Sequence, residues 1–194
     1  MTNAMETLER EHRTIEKVLA VMARVQEQLD LKHDINAEIL RDLLQFMRIF
    51  CDQYHQAREE GYLFPLLEER GIPATGCPIA VLKSEHGKIL RLVNELSEST
   101  AAYLADGHSG RSNLKEALHN LMSFFPEHIW KEDYLLFPMA EKVLSPSDQE
   151  ILLRQFALAE LDLGGRINEE FEALAENLSE RVECCPQCSN PQVA

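Results

Sequence analysis

The stretch "EHIWKEDYLLFP", residues 127–138, sets His128, Glu132 and Asp133 into a run that otherwise reads as a buried amphipathic helix. An earlier stretch, "YHQAREEGYLFP", residues 54–65, has nearly the same plan. Overlaying His55 on His128, an offset of 73 residues, puts Glu59 on Glu132, Glu60 on Asp133 and Leu63-Phe64-Pro65 on Leu136-Phe137-Pro138. His12 in "REH" and His86 in "SEH" are related by an offset of 74. The chain therefore reads as two copies of one helical hairpin, each carrying a His and then a His-x-x-x-Glu.

Helical periodicity extends outward from these motifs, and nothing reads as a strand. The pattern predicts helices over about 5–29, 36–69, 77–104 and 113–143, broken by "DLKHDIN", by "RGIPATG" with Gly71 and Pro73 as terminators, and by a loop at "ADGHSGRS". A fifth helix opens at Ser145-Pro146, is interrupted at Gly164-Gly165 and ends near Asn177. Its stripe of Ile167, Phe171, Leu174 and Leu178 must cover the bundle or a second subunit. The expected fold class is all-α, an up-down-up-down four-helix bundle with an additional C-terminal helix and a short Cys-containing tail. The expected units are a bundle over 1–144, a helical extension over 145–180 packing on the bundle or on a second subunit, and a flexible tail over 181–194.

Composition narrows the function classes. With 19 basic and 33 acidic residues among 194, the net charge is −14 and no basic cluster exists. That disfavours nucleic acid and anionic membrane surfaces as partners. No apolar run approaches the roughly 20 residues of a membrane span, and the N-terminus lacks a signal peptide's basic-then-apolar layout. A cytoplasmic location is expected. Five Cys, an odd and scattered set, do not form a secreted disulfide framework.

The placement of four His carries the chemistry. His12 lies four after Leu8 and three before Ile15, and His86 lies four after Leu82 and three before Ile89. His55 follows Cys51 by four and Met47 by eight; His128 follows Phe124 by four and Leu121 by seven. All four point inward. Within each His-x-x-x-Glu the two side chains lie about 40° apart around the helix and about 6 Å along it, so imidazole and carboxylate converge on one point. Buried imidazoles and carboxylates without partners are costly, and together they suit a borderline divalent metal. Six ligands exceed one structural zinc but suit two metals sharing bridging carboxylates.

The pattern His12, His55-x-x-x-Glu59, His86, His128-x-x-x-Glu132 resembles the hemerythrin-like (HHE cation-binding) domain over roughly residues 5–143. The resemblance implies a cofactor of two non-haem irons per chain, with two His on each iron and Glu59 and Glu132 bridging them alongside an oxo or hydroxo group. Oxygen-carrying hemerythrins have His-x-x-x-His on the third helix, where this chain has Leu90, and use an Asp five after the last His, present here as Asp133. With fewer His ligands, both irons keep open positions. That resembles hemerythrin-like domains that sense iron or oxygen, handle nitric oxide or peroxide, or repair damaged iron centres, with a small diatomic molecule or peroxide as ligand. Glu60 and Asp133 are expected to be solvated or to orient a ligand from outside.

Other readings stand beside this one. An enzymatic version would reduce peroxide or nitric oxide, with terminal thiols returning electrons. A different class is an iron-responsive structural or interaction module without turnover, which unfolds on metal loss and so recruits or releases a partner. A ferritin-like di-iron oxidase is a third, resting on Glu9-x-x-His12 and Glu116-x-x-His119. Cys51 reads as an apolar filler that could border the site. The tail "CCPQC" offers Cys184, Cys185 and Cys188 for a metal or redox role, short of the four thiolates of a closed zinc site. A protein partner or a homodimer could use the C-terminal helix or the tail.

Overall fold

The computed structural model describes residues 3–76 and 78–183. The thiols of Cys77, Cys184, Cys185 and Cys188 lie outside them. Among the described residues the chain is helical throughout, with no strand, so the all-α class holds. Helix α1 spans Ala4–Asp30. It opens on a capping box, in which Asn3 Oδ1 accepts from the Glu6 N–H at 2.8 Å and the Glu6 carboxylate takes the Asn3 N–H. Helix α2 is one rod joined from Ala37–Gln45, π-helical stretches Phe46–Gln56 and Glu59–Leu63, and a closing turn Phe64–Glu69. Helix α3 spans Ile79–Ala105. Helix α4 runs through Gly107–Lys131, a π-helical Glu132–Leu136 and Phe137–Val143. Two further helices, α5 (Pro146–Asp162) and α6 (Ile167–Glu183), follow.

Two apolar compartments hold the helices together. The larger takes Ile15 to Leu29 of α1, Leu40 to Tyr54 of α2, Ile89 to Tyr103 of α3 and Leu114 to Ile129 of α4. Helix α6 seals it with Ile167, Phe171 and Leu178, Phe171 lying against Phe46 and Phe50 at ring separations of 5.9 and 5.8 Å. The expected stripe of α6 therefore covers the bundle itself. The smaller compartment takes Met5 and Leu8 of α1, Leu63 to Leu67 of α2, Ile79 and Leu82 of α3, and Leu136 to Ala140 of α4, closed by Leu152 and Phe156 of α5. On all four bundle helices buried ionisable residues stand where the two compartments meet. A polar layer thus crosses an otherwise apolar interior, which is stable only if its members satisfy one another or a ligand.

Three local expectations are corrected. Helix α4 begins at Gly107 rather than 113, so most of "ADGHSGRS" is helical. Tertiary anchoring explains this: Arg111 donates to the carbonyls of Leu29 (3.3 Å) and His33 (2.7 Å) and to Asp34 Oδ1 (3.0 Å), closing the C-terminus of α1. The inward aromatic before His128 is Phe125, with Phe124 half-buried beneath Lys88. The core stripe is Leu121, Phe125 and His128, at four- and three-residue spacing. Helix α6 continues to Glu183, past Asn177.

Candidate metal centre

The two "LFP" motifs explain how the layer is shaped. Proline cannot donate to the carbonyl four residues back, and its ring crowds that carbonyl. Ahead of Pro65 and Pro138 the helix widens: the Phe64 N–H donates to the Glu59 carbonyl and the Phe137 N–H to the Glu132 carbonyl, each five residues back. The π-helical turns Glu59–Leu63 and Glu132–Leu136 therefore begin at equivalent glutamates, so the sequence repeat is also a repeat of backbone geometry. Such turns occur frequently at functional sites. The Phe of each motif crosses to the other hairpin. Phe137 stacks on His12 (5.5 Å, 9° between planes) and Phe64 stacks on His86 (5.8 Å, 15°).

Six side chains converge in the layer, and all are buried: His12, His55, Glu59, His86, His128 and Glu132. They form two sets able to hold a cation, His12–His55–Glu59–Glu132 and His86–His128–Glu132, with ligand atoms in each set within 4.8 Å of one another. Glu132 is common to both. His12 Nε2 lies 3.1 Å from Glu132 Oε2, and His86 Nε2 and His128 Nε2 lie 3.3 and 3.2 Å from Oε1. Glu59 Oε2 is 3.8 Å from His55 Nε2 and 3.4 Å from His86 Nε2. Glu59 thus also faces both sets.

Around this core stands a ring of carboxylates, one for each imidazole. His12 Nδ1 meets Asp133 Oδ1 at 2.5 Å, His55 Nδ1 meets Glu11 Oε2 at 2.9 Å, His86 Nδ1 meets Glu60 Oε1 at 2.7 Å and His128 Nδ1 meets Glu85 Oε2 at 3.0 Å. With each Nδ1–H donating outward, every Nε2 turns its lone pair to the centre, which is how ligating His are commonly oriented. The ring obeys the same repeat, since Glu11 matches Glu85 and Glu60 matches Asp133. Three of its members carry a cation: Arg58 on Glu11, Arg13 on Asp133 and Lys131 on Glu85 at 2.6 Å. Arg58 is itself buried, its guanidinium between the rings of Tyr54 (3.7 Å) and Phe156 (4.8 Å).

Within the layer, charge is distributed unevenly. Burial opposes charge on His12, but hydrogen bonds to Asp133 and Glu132 outweigh it and raise its pKa to about 10. His86 is likewise raised to about 10 against burial, by Glu132 and Glu60. Burial wins at His55, helped by the nearby His12, and lowers it to about 4 despite Glu11. It also lowers His128. Burial, then the charge of Glu132, pushes Glu59 well above the usual carboxyl range. Glu132 is held well below it, because His128, His12 and His86 outweigh burial. Without a cation in the layer, His12 and His86 each hold a second proton on the inward Nε2, which a bound metal would displace.

The donor set fits bound cations. Both Glu59 oxygens are buried and lack hydrogen-bond partners, as does His128 Nε2, and such atoms are costly unless something ligates them. His12 Nε2 faces His55 Nε2 at 3.0 Å. With both Nδ1 atoms protonated, two lone pairs would repel there unless a proton or a metal lies between them. Imidazole and carboxylate together suit iron, manganese or zinc.

All six residues singled out from sequence meet in this layer. Glu132 lies inside the layer and Asp133 in the outer ring. Glu60 joins the ring while its side chain stays exposed to solvent. Glu11, Glu85 and Arg58 were missed; the doubled Glu-His pair at 11–12 and 85–86 was the signal for the first two. Cys51 is an apolar filler, its thiol 3.8 Å from Met47 Sδ. The ferritin-like reading fails, because Glu116 and His119 lie exposed on the surface of α4. Among the described residues no helix is long and apolar enough to cross a membrane.

Comparison with known proteins agrees with this geometry. The Hemerythrin HHE cation binding domain matches residues 3–140 and, in a second overlapping match, 77–183. The second match begins at the α3–α4 hairpin, as a duplicated hairpin leads one to expect. Uncharacterized proteins of Mycobacterium bovis and Mycobacterium tuberculosis are 29% identical over 142 residues, 73% of this chain and 55% of theirs. The iron-sulfur cluster repair protein YtfE of Enterobacter sp. (strain 638) is 28% identical over 114 residues, 56% of this chain and 51% of its own. The chain thus spans about half the length of the curated relatives it matches. No solved structure gives a significant match. With the family match covering most of the chain and its six His and Glu side chains gathered in one buried layer, the chain belongs to the hemerythrin HHE cation-binding domain family.

Proposed function

We propose that the chain binds two iron ions, one at His12, His55 and Glu59 and one at His86 and His128, with Glu132 and Glu59 bridging them. The observation that carries this reading is the pair of ligand sets sharing Glu132, beside a Glu59 carboxylate whose oxygens have no hydrogen-bond partner. Two irons so bound would supply reversible one-electron chemistry and open coordination positions for O2, nitric oxide or peroxide. The chain's own residues do the rest. Asp133, Glu11, Glu60 and Glu85 hold each imidazole with Nε2 inward, Phe64 and Phe137 fix two of the rings, and the two apolar compartments keep bulk water from the layer. Sensing, stress response or repair of iron centres follows as the role, and the name of the YtfE relative supports the last.

The test is to load the protein with iron, reduce it anaerobically, and add O2, nitric oxide and hydrogen peroxide in turn. A stable adduct with one of them supports sensing, and multiple turnovers with an added reductant support an enzyme. Spectra unchanged by all three would refute the open positions.

A further inference from the structure

The layer is closed on one flank and accessible on another. Beside His12, Asp133 is nearly buried and bound by Arg13. Beside His86, a cavity of about 360 Å³ lies in the groove between α2 and α3, its lining including Asp52, Gln56, Glu60, Lys83, His86 and Gly87. Three observations there point to a ligand. Gln56, next to His55 in sequence, is 3% exposed, and its Nε2 has no hydrogen-bond partner. A buried amide donor left unmatched is uncommon and costly. Gly87 sits in the interior of α3, where glycine costs about 1 kcal/mol relative to alanine. Packing does not require it, since a Cβ would meet nothing nearer than Arg91 Nη1 at 3.9 Å. Its effect is to leave the groove beside His86 open. Finally, Leu90, one turn beyond His86, lines the same groove and offers no ligand atom.

We infer that this cavity is the ligand pocket of the centre: a ligand of two or three atoms with an acceptor lone pair enters past Gly87, binds at the His86–His128 position and accepts a hydrogen bond from Gln56 Nε2. The inference rests on the two-metal reading above and adds to it which position is open, by which route and with which recognising group. No bond is made or broken within the ligand. A small neutral molecule or a monoanion suits the pocket, because the Lys83 ammonium stands on its wall beside the carboxylates of Asp52 and Glu60.

The test uses the full chain loaded with ferric iron, with sodium azide as probe followed by absorption titration, and iron per chain measured on each sample. Gln56→Leu should weaken azide binding about tenfold or more, the loss expected for a hydrogen bond to a charged ligand. Gly87→Leu, whose Cβ meets nothing nearer than 3.9 Å and which favours helix, should weaken it further or abolish it. Both variants should keep two irons per chain. Glu9→Trp, which fills the separate cavity of about 580 Å³ near Asp133 and Tyr134, should leave azide affinity unchanged. Affinity within twofold of wild type in both groove variants at full iron content overturns the inference. So does loss of binding in Glu9→Trp alone, or a two-iron wild type that takes no azide. A wild type that holds fewer than two irons instead overturns the underlying two-metal reading, so the two failures are distinguishable.

Discussion

The internal repeat supplies a matched pair of perturbations. Glu11 and Glu85 occupy equivalent positions and do the same work, each accepting from a His Nδ1 and pairing with a cation. Their surroundings differ. Glu11 and Arg58 have side chains 1% and 2% exposed, whereas Glu85 and Lys131 are 14% and 22% exposed. Removing one partner of a buried ion pair leaves an uncompensated charge in a weakly polarisable medium and costs about 3–5 kcal/mol. A pair that water can reach is worth about 0–1 kcal/mol. Glu11→Gln, which keeps shape and removes charge, should therefore destabilise the metal-free protein by about 3–5 kcal/mol, and Glu85→Gln by about 1 kcal/mol or less. For a domain of this size the first should lower Tm by roughly 6–20 °C. Replacing both partners, as Glu11→Gln with Arg58→Met, should recover much of the loss, since Met can fill the slot between Tyr54 and Phe156 without a charge. Urea unfolding of chelator-treated protein, followed by circular dichroism, measures all three variants against wild type. Equal effects of Glu11→Gln and Glu85→Gln, or a double variant no better than the single, would refute the argument from burial.

Other outcomes follow from the same structure. Phe137→Ala should cost about 3–5 kcal/mol for a fully buried ring and should lower iron occupancy more than an equally destabilising substitution far from His12, such as Phe171→Ala; a calorimetric and metal-content comparison checks this. Asp148 accepts from Arg70 at 2.6 and 3.1 Å and from Ser145, and those hydrogen bonds lower its pKa from the ordinary 3.8. A depressed carboxylate stabilises fully above its unfolded value and loses that contribution as pH falls toward its folded one. The gap in urea midpoint between wild type and Asp148→Asn should thus be full at neutral pH and should shrink once pH drops below 3.8. A gap that does not change with pH would be contrary. Free metal at about a hundredfold its Kd should add about 2.7 kcal/mol per site, and chelation should lower Tm while leaving the helical signal at room temperature. Unfolding on chelation would instead favour the iron-responsive module.

What could be read from the sequence has a physical boundary. The four His and two Glu were legible because each lies at helical spacing within its own helix's apolar stripe, a relation contained in one segment. The "LFP" motif was visible as a repeat, but its consequence was not, since the π-helical widening ahead of Pro65 and Pro138 alters the very periodicity used to read it. Glu11 and Glu85 sit one residue from a His, about 100° away around the helix, so periodicity points them off the core. Glu11 is buried, and Glu85 partly so, only because a neighbouring helix presents His55 or His128. Arg58 hides for a similar reason: its burial depends on Phe156, nearly a hundred residues away, with α5 packed beside α2. The start of α4 was misjudged because Gly107 and Ser109 favour a loop locally, while Arg111 ties that turn to the end of α1.

The central claim is that two cations share Glu132 and Glu59 in this layer. Iron per chain, determined on anaerobically isolated protein together with its His55→Ala and His128→Ala variants, tests it most directly. The account predicts two irons in the wild type, a clear loss in each single variant, and no bound iron when both are replaced. A wild type that saturates at one metal per chain, or variants that retain both irons, would contradict it.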